Sequence, residues 1–193
     1  MLNVINCILY QHDITLVVLA VVVCVFGSAV TLGLLRRGVD AAGPQRIGWQ
    51  FLAAVAGGGS VWATHFVAML AYEADVPVSY DPALTVLSLV IAMGGFFVAF
   101  LVSGLKEGVA LPAVGGALVG LSIVAMHYPG MFAYRVVGLI TWEMDYIVAS
   151  ILLPVVLLGA ALPLMWREDL GRRTYWVGVA LMVAMNPQTW DQD

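Results

Sequence analysis

Long apolar runs separated by short polar connections fill this chain. A membrane-spanning helix needs about 20 mostly apolar residues. Five segments reach that length: Ile14–Leu35, Ile47–Tyr72, Ala83–Leu105, Val109–Tyr134 and Tyr146–Trp166. A sixth, Thr174–Met185, is short unless it begins near Leu170. None of the connections reads as a flexible linker. The pattern predicts an all-α, polytopic membrane helix bundle of about six spans, forming one domain over residues 1–193. The first apolar run is too long for a signal-peptide core and has no basic stretch before it, so it reads as a retained helix.

The charged residues then orient the bundle. Arg36, Arg37 and Arg46 fall between helices one and two, Lys106 between three and four, and Arg167, Arg172 and Arg173 between five and six. The other side carries Arg135 with Glu73, Asp75, Asp81, Glu143 and Asp145. Basic loops stay in the cytoplasm, which predicts the N-terminus outside. Tyr72, Tyr80, Tyr134, Trp142 and Tyr146 suit an interfacial belt at the outer ends.

Composition agrees. Hydrophobic residues make up 62% of the chain and charged residues 10%, against about 25% charged in a soluble domain. The net charge of −4 leaves no basic footprint for nucleic acid. Cys7 and Cys24 are too far apart along a helix, roughly 25 Å, for a disulfide. Cys24 reads as a small buried apolar residue.

A repeat gives the chain its candidate chemistry. Helix two contains Ser60-Val61-Trp62-Ala63-Thr64-His65-Phe66-Val67-Ala68-Met69, and helix four contains Ser122-Ile123-Val124-Ala125-Met126-His127-Tyr128-Pro129-Gly130-Met131. The shared pattern is Ser, apolar, x, Ala, x, His, aromatic, x, x, Met, at an offset of 62 residues. Met182-Val183-Ala184-Met185-Asn186-Pro187 echoes it in helix six, with Asn186 in the histidine's place. Three two-helix repeats follow, roughly 14–72, 83–134 and 146–185, the third degraded or cut short.

Histidine and methionine at i and i+4 share a helix face. His65 lies roughly 27 Å along its helix from Ile47, and His127 reaches the same depth near the outer face. Two imidazoles and two thioethers at one altitude suggest a metal, and a His/Met set without a carboxylate favours copper. Met126 points about 100° away from His127. Packing is the competing reading of each methionine, and also of Trp62, which is spaced to stack on His65. Glu73, beyond the helix end, reads as solvated.

The Met126-His127-Tyr128-Pro129-Gly130-Met131 run resembles the signature of the MHYT-domain family, and Trp62 to Met69 resembles that family's first repeat. The resemblance covers nearly the whole chain. It implies a bacterial inner-membrane sensory module, often fused to cyclic-di-GMP enzymes, histidine kinases or DNA-binding domains. It further implies copper held by His65, Met69, Met126, His127 and Met131, with Met185 a weaker match. The implied signal is a diatomic gas (oxygen, carbon monoxide or nitric oxide) or redox state. Pro129 departs from the family's threonine and frees the Ala125 carbonyl. Thr64 stands where a methionine is expected. The polar tail from Pro187 to Asp193 reads as truncation or a frameshift.

The leading expectation is a membrane sensor that passes its signal to a separate output protein. It is not an enzyme, since no phosphate loop, nucleophile–base pair or carboxylate pair is visible. The alternatives are a copper-handling transporter, a copper or haem enzyme, and a truncated, non-functional sensor fragment.

Overall fold

A computed structural model describes residues 13–72, 78–105, 110–135 and 144–165. They form α1 (Ile14–Asp40), α2 (Gly43–Ala71), β1 (Ser79–Tyr80), α3 (Pro82–Ser103), α4 (Ala110–Ala133), β2 (Tyr134–Arg135) and α5 (Met144–Met165). The first four helices are long and apolar enough to cross a membrane, and α5 carries a shorter apolar run, Ile147–Pro163. This is an all-α membrane-type bundle. The expected sixth span, with Met185 and Asn186, lies outside the described residues, as do Glu73, Lys106 and the arginines from Arg167 to Arg173.

Two helices overrun their predicted ends. α1 continues through Arg36 and Arg37 to Asp40, and α2 begins at Gly43 rather than Ile47. Leaving the apolar window does not end a helix. The break is at Ala41 and Ala42, both extended, after which Gly43 takes φ +57° and Pro44 opens the next first turn.

α1 packs along α2, α3 along α4, and α5 along α4, while α2 also packs against α3. Bulky apolar side chains such as Val22, Phe26, Val90 and Val156 face outward, as lipid requires. Small residues sit between helices, with Ala53, Ala54, Ala92 and Ala99 fully enclosed. Lipid is as apolar as leucine, so close van der Waals packing holds such a bundle.

The α1–α2 and α3–α4 hairpins are closed by the same devices. The Asp13 and Asp81 carboxylates cap α1 and α3. Their amides donate to the carbonyls of Ala71 (2.8 Å) and Ala133 (2.9 Å) at the ends of α2 and α4. Midway, Gly27 faces Ser60 and Gly95 faces Ser122, leaving no room for a Cβ on either glycine. The repeat read from the second helices is therefore matched by one in the first helices.

β1, just before α3, and β2, just after α4, pair across the open end of the α3–α4 hairpin, with Tyr80 opposite Tyr134 and Ser79 opposite Arg135. The Arg135 guanidinium donates to Asp81 at 2.5 Å. The Leu84 amide, then Arg135, hold the Asp81 carboxyl below its ordinary value. A depressed carboxylate stabilises the fold above its unfolded pKa, and that contribution is lost as pH falls through the folded value. Asp81→Asn, which keeps the cap but not the charge, is expected to flatten the acid limb of thermal stability measured in detergent below the usual carboxylate range. Asp81→Ala should also lower stability at neutral pH, because the cap itself is gone.

At the opposite end α2 grips the C-terminus of α3. The Arg46 guanidinium donates to the Gly104 carbonyl, and the Gln50 amide donates to the Phe100 carbonyl at 2.9 Å. The Gly104 carbonyl lies past the last turn, where no intrahelical donor remains, while the Phe100 carbonyl also accepts from the Gly104 amide and the Ser103 hydroxyl. The bond to Phe100 accounts for a buried glutamine among apolar helices.

Candidate functional site

His65 sits one turn and a half before the end of α2, and His127 the same distance before the end of α4. The hairpins bring them together. Their ring centroids lie 5.0 Å apart with the planes at 64°. Both are enclosed, at 2% and 6% exposure. α2 and α4 otherwise touch little, so the imidazoles are the main point of contact between the two motif-bearing helices.

Gly130 makes this approach possible. A Cβ at that position would stand 2.5 Å from His65 Nε2 and 2.9 Å from its Cδ2. His65 therefore rests directly on the α4 backbone, three residues beyond His127. α4 stays helical through Pro129 to Ala133, which keeps Gly130 on the face turned to α2.

The methionines are less uniform than the histidines. Met69 and Met126 are buried and Met131 is half-buried. The i+4 spacing sets Met69 on the His65 face and Met131 on the His127 face. Among the described residues no three of histidine, cysteine, aspartate and glutamate converge; the donors that share the faces of the imidazoles there are thioethers. A pair of neutral nitrogens with thioether sulfur and no carboxylate is a donor set that copper accepts.

Trp62 does not stack on His65. Its ring lies against Phe66, 4.9 Å between centroids, and its Nε1 donates to the Thr85 carbonyl and the Ser88 hydroxyl, both at 3.1 Å. It ties α2 to α3, which is the packing reading. Thr64, in the position where the motif expects methionine, donates its hydroxyl to the Ser60 carbonyl at 2.8 Å. Cys24 is buried, as expected.

Rings continue outward from the histidines. His65 meets Phe66 at 5.2 Å, Phe66 meets Tyr80 at 5.9 Å, and Tyr80 meets Tyr134 at 5.5 Å. Burial, then the neighbouring Tyr134, pushes the Tyr80 phenol up to about 12, so it is protonated at neutral pH. Belt membership was all the sequence suggested for Tyr80 and Tyr134. Nothing in the spacing flags the pair, because its members stand at the two far ends of the α3–α4 hairpin and meet only when it closes. Gly130 was visible as part of the motif, and a glycine three residues after a motif histidine is the signal for a backbone approach.

Known proteins can now be set beside this geometry. A profile described as "Bacterial signalling protein N terminal repeat", the MHYT family, matches residues 58–116 and 120–178, each match holding one of the two histidines. An "Uncharacterized signaling protein" of Caulobacter vibrioides is 38% identical over 73% of the chain. The "Bifunctional diguanylate cyclase/cyclic di-GMP phosphodiesterase MucR" and the "Cyclic di-GMP phosphodiesterase NbdA" of Pseudomonas aeruginosa are each 34% identical, over 84% and 81% of it. The chain spans only 17%, 24% and 19% of the lengths of these three relatives. No solved structure matches it. With two profile matches over more than half its length, each beginning within a helix that carries a buried histidine, the chain belongs to the MHYT family of bacterial signalling repeats.

Proposed function

We propose that this chain is the sensory module of a bacterial inner-membrane signalling protein, binding copper at the His65–His127 pair and responding to a diatomic gas or to redox state. The observation that carries the reading is the meeting of two enclosed imidazoles, 5.0 Å apart, from two repeats of one motif. His65 and His127 would hold the metal, with thioether sulfur from Met69, Met131 and Met126. Copper bound there supplies a redox-active centre with affinity for small diatomic ligands.

The residues around the pair have separate tasks. Gly130 sets how closely His65 approaches α4. Phe66 and the enclosing helices exclude water from the imidazoles. α2 carries His65 near one end and Gln50 and Arg46 toward the other, about 22 and 28 Å away along the helix. A change in His65 position therefore reaches, along one helix, the grip on the α3 terminus. The basic residues of the connections favour a cytoplasmic position for that grip and a periplasmic one for the histidines. Relatives named for cyclic di-GMP synthesis and hydrolysis make turnover of that messenger the favoured output, in an attached or separate protein.

Metal analysis of the purified protein tests the reading. Wild type is expected to retain about one equivalent of copper, and both His127→Ala and His65→Ala to lose it. Copper content unchanged in either variant would reject the pair as the site. Copper flux into liposomes separates a transporter from a sensor.

A further inference from the structure

We propose that Tyr80 and Tyr134 form an oxidisable pair that supplies electrons to an oxidant reaching the buried histidines, with the Phe66 ring as the bridge. The inference deepens the copper reading and rests on it for the source of oxidant at His65 and His127. Four aromatic contacts carry it. His127, His65, Phe66, Tyr80 and Tyr134 form an unbroken series with centroid separations of 5.0, 5.2, 5.9 and 5.5 Å. Two residues that are readily oxidised stand at its outer end, and the enclosed imidazoles stand at the other.

The phenol hydroxyls themselves argue for chemistry rather than packing. The Tyr80 and Tyr134 hydroxyls are both buried and have no hydrogen-bond partner among the described residues. Phenylalanine would make the same ring contacts without enclosing a polar atom. The pair is also held in register. Tyr80 and Tyr134 are direct partners in the β1–β2 ladder, flanked by the Asp81–Arg135 ion pair. What the pair would protect lies close by, since Met69 and Met126 are buried thioethers near the histidines and are open to sulfoxide formation.

The chemistry balances with a peroxide as oxidant. Each tyrosine gives up one electron and its phenol proton, breaking the O–H bond to leave a phenoxyl radical. Hydrogen peroxide takes up the two electrons and two protons, and its O–O bond breaks to yield two waters. The adjacent radicals join through ring carbons ortho to oxygen, and tautomerisation restores both phenols as dityrosine. The coupled product covalently closes the α3–α4 hairpin at β1 and β2.

The full chain in nanodiscs, loaded with Cu(I) and treated with hydrogen peroxide, tests this by peptide mass mapping and dityrosine fluorescence. A cross-link between Tyr80 and Tyr134 is expected in wild type. Tyr80→Phe and Tyr134→Phe should each abolish it and raise oxidation of Met69, Met126 and His65 severalfold. Site oxidation unchanged in Tyr80→Phe, or coupling that survives either substitution, overturns the proposal. A second arm uses metal-free protein and a photogenerated ruthenium(III) oxidant in the buffer. Coupling lost in both phenylalanine variants is again expected, and no coupling in wild type overturns the pair. Copper content measured on the same samples keeps the readings apart: failure to retain copper sinks the metal assignment, while the photochemical arm still decides the tyrosines.

Discussion

Gly120→Leu, alone or with Gly116→Leu, is expected to detach α5 from α4 and to destabilise the bundle by about 3 kcal/mol or more, the upper end for overpacking. At Gly120 a Cβ would stand 2.5 Å from the Pro154 carbonyl oxygen and 2.7 Å from Val155 Cα. At Gly116 it would collide with the Leu158 carbonyl and lie 3.0 Å from Gly159 Cα. These obstacles are backbone atoms, which cannot rotate away as a side chain can. A leucine must therefore push the helices apart, and the close packing that holds membrane helices together is lost. Unfolding titrations in mixed micelles measure the effect. Gly94→Leu is the control. It faces open space and should stay within about 0.5 kcal/mol of wild type. Equal stability of the Gly120 and Gly94 variants would show that the α4–α5 crossing is looser than described.

The second large effect is expected at Gly130. Gly130→Ala puts a methyl group 2.5 Å from His65 Nε2, so the imidazole must leave its seat on the α4 backbone. The two rings then separate, and a centre shared between them loses one of its nitrogens. Changes that disturb ligand orientation typically cost 10–100-fold in metal affinity, and a loss of about that size in copper affinity is expected here, read by competition with a chelator. Gly130→Ser should do the same or worse. The ligands themselves are untouched, so the result isolates placement from donor chemistry. Undiminished affinity would mean that His65 does not bind where it sits in this structure.

Much of the arrangement was legible in the chain. Apolar runs of spanning length located the helices, and their described cores fall where the runs do. The ends were less legible, because hydropathy marks where lipid stops rather than where the backbone hydrogen bonds stop. α1 and α2 therefore continue past their apolar windows up to the extended pair Ala41 and Ala42. The histidines were legible as a pair because helical rise converts sequence position into depth, and a repeat fixed both at one depth.

Rotation about each helix axis was not legible in the same way. Depth follows from counting residues, but the direction in which a side chain points depends on which neighbours the helix packs against. Trp62 is spaced to stack on His65, yet Phe66 takes that ring and α3 takes its nitrogen. Gly130 gained its role from His65 on the other hairpin, and Tyr80 meets Tyr134 only because the α3–α4 hairpin brings its two ends together, which no local spacing encodes. The sequence by itself determined a family of membrane helices, their repeat, and the shared altitude of two imidazoles, since these depend on composition and on the period of one helix. Only the tertiary structure decided that His65 rests on the α4 backbone beside His127 and that two tyrosines close the outer end, because contacts between helices follow from packing that no single helix contains.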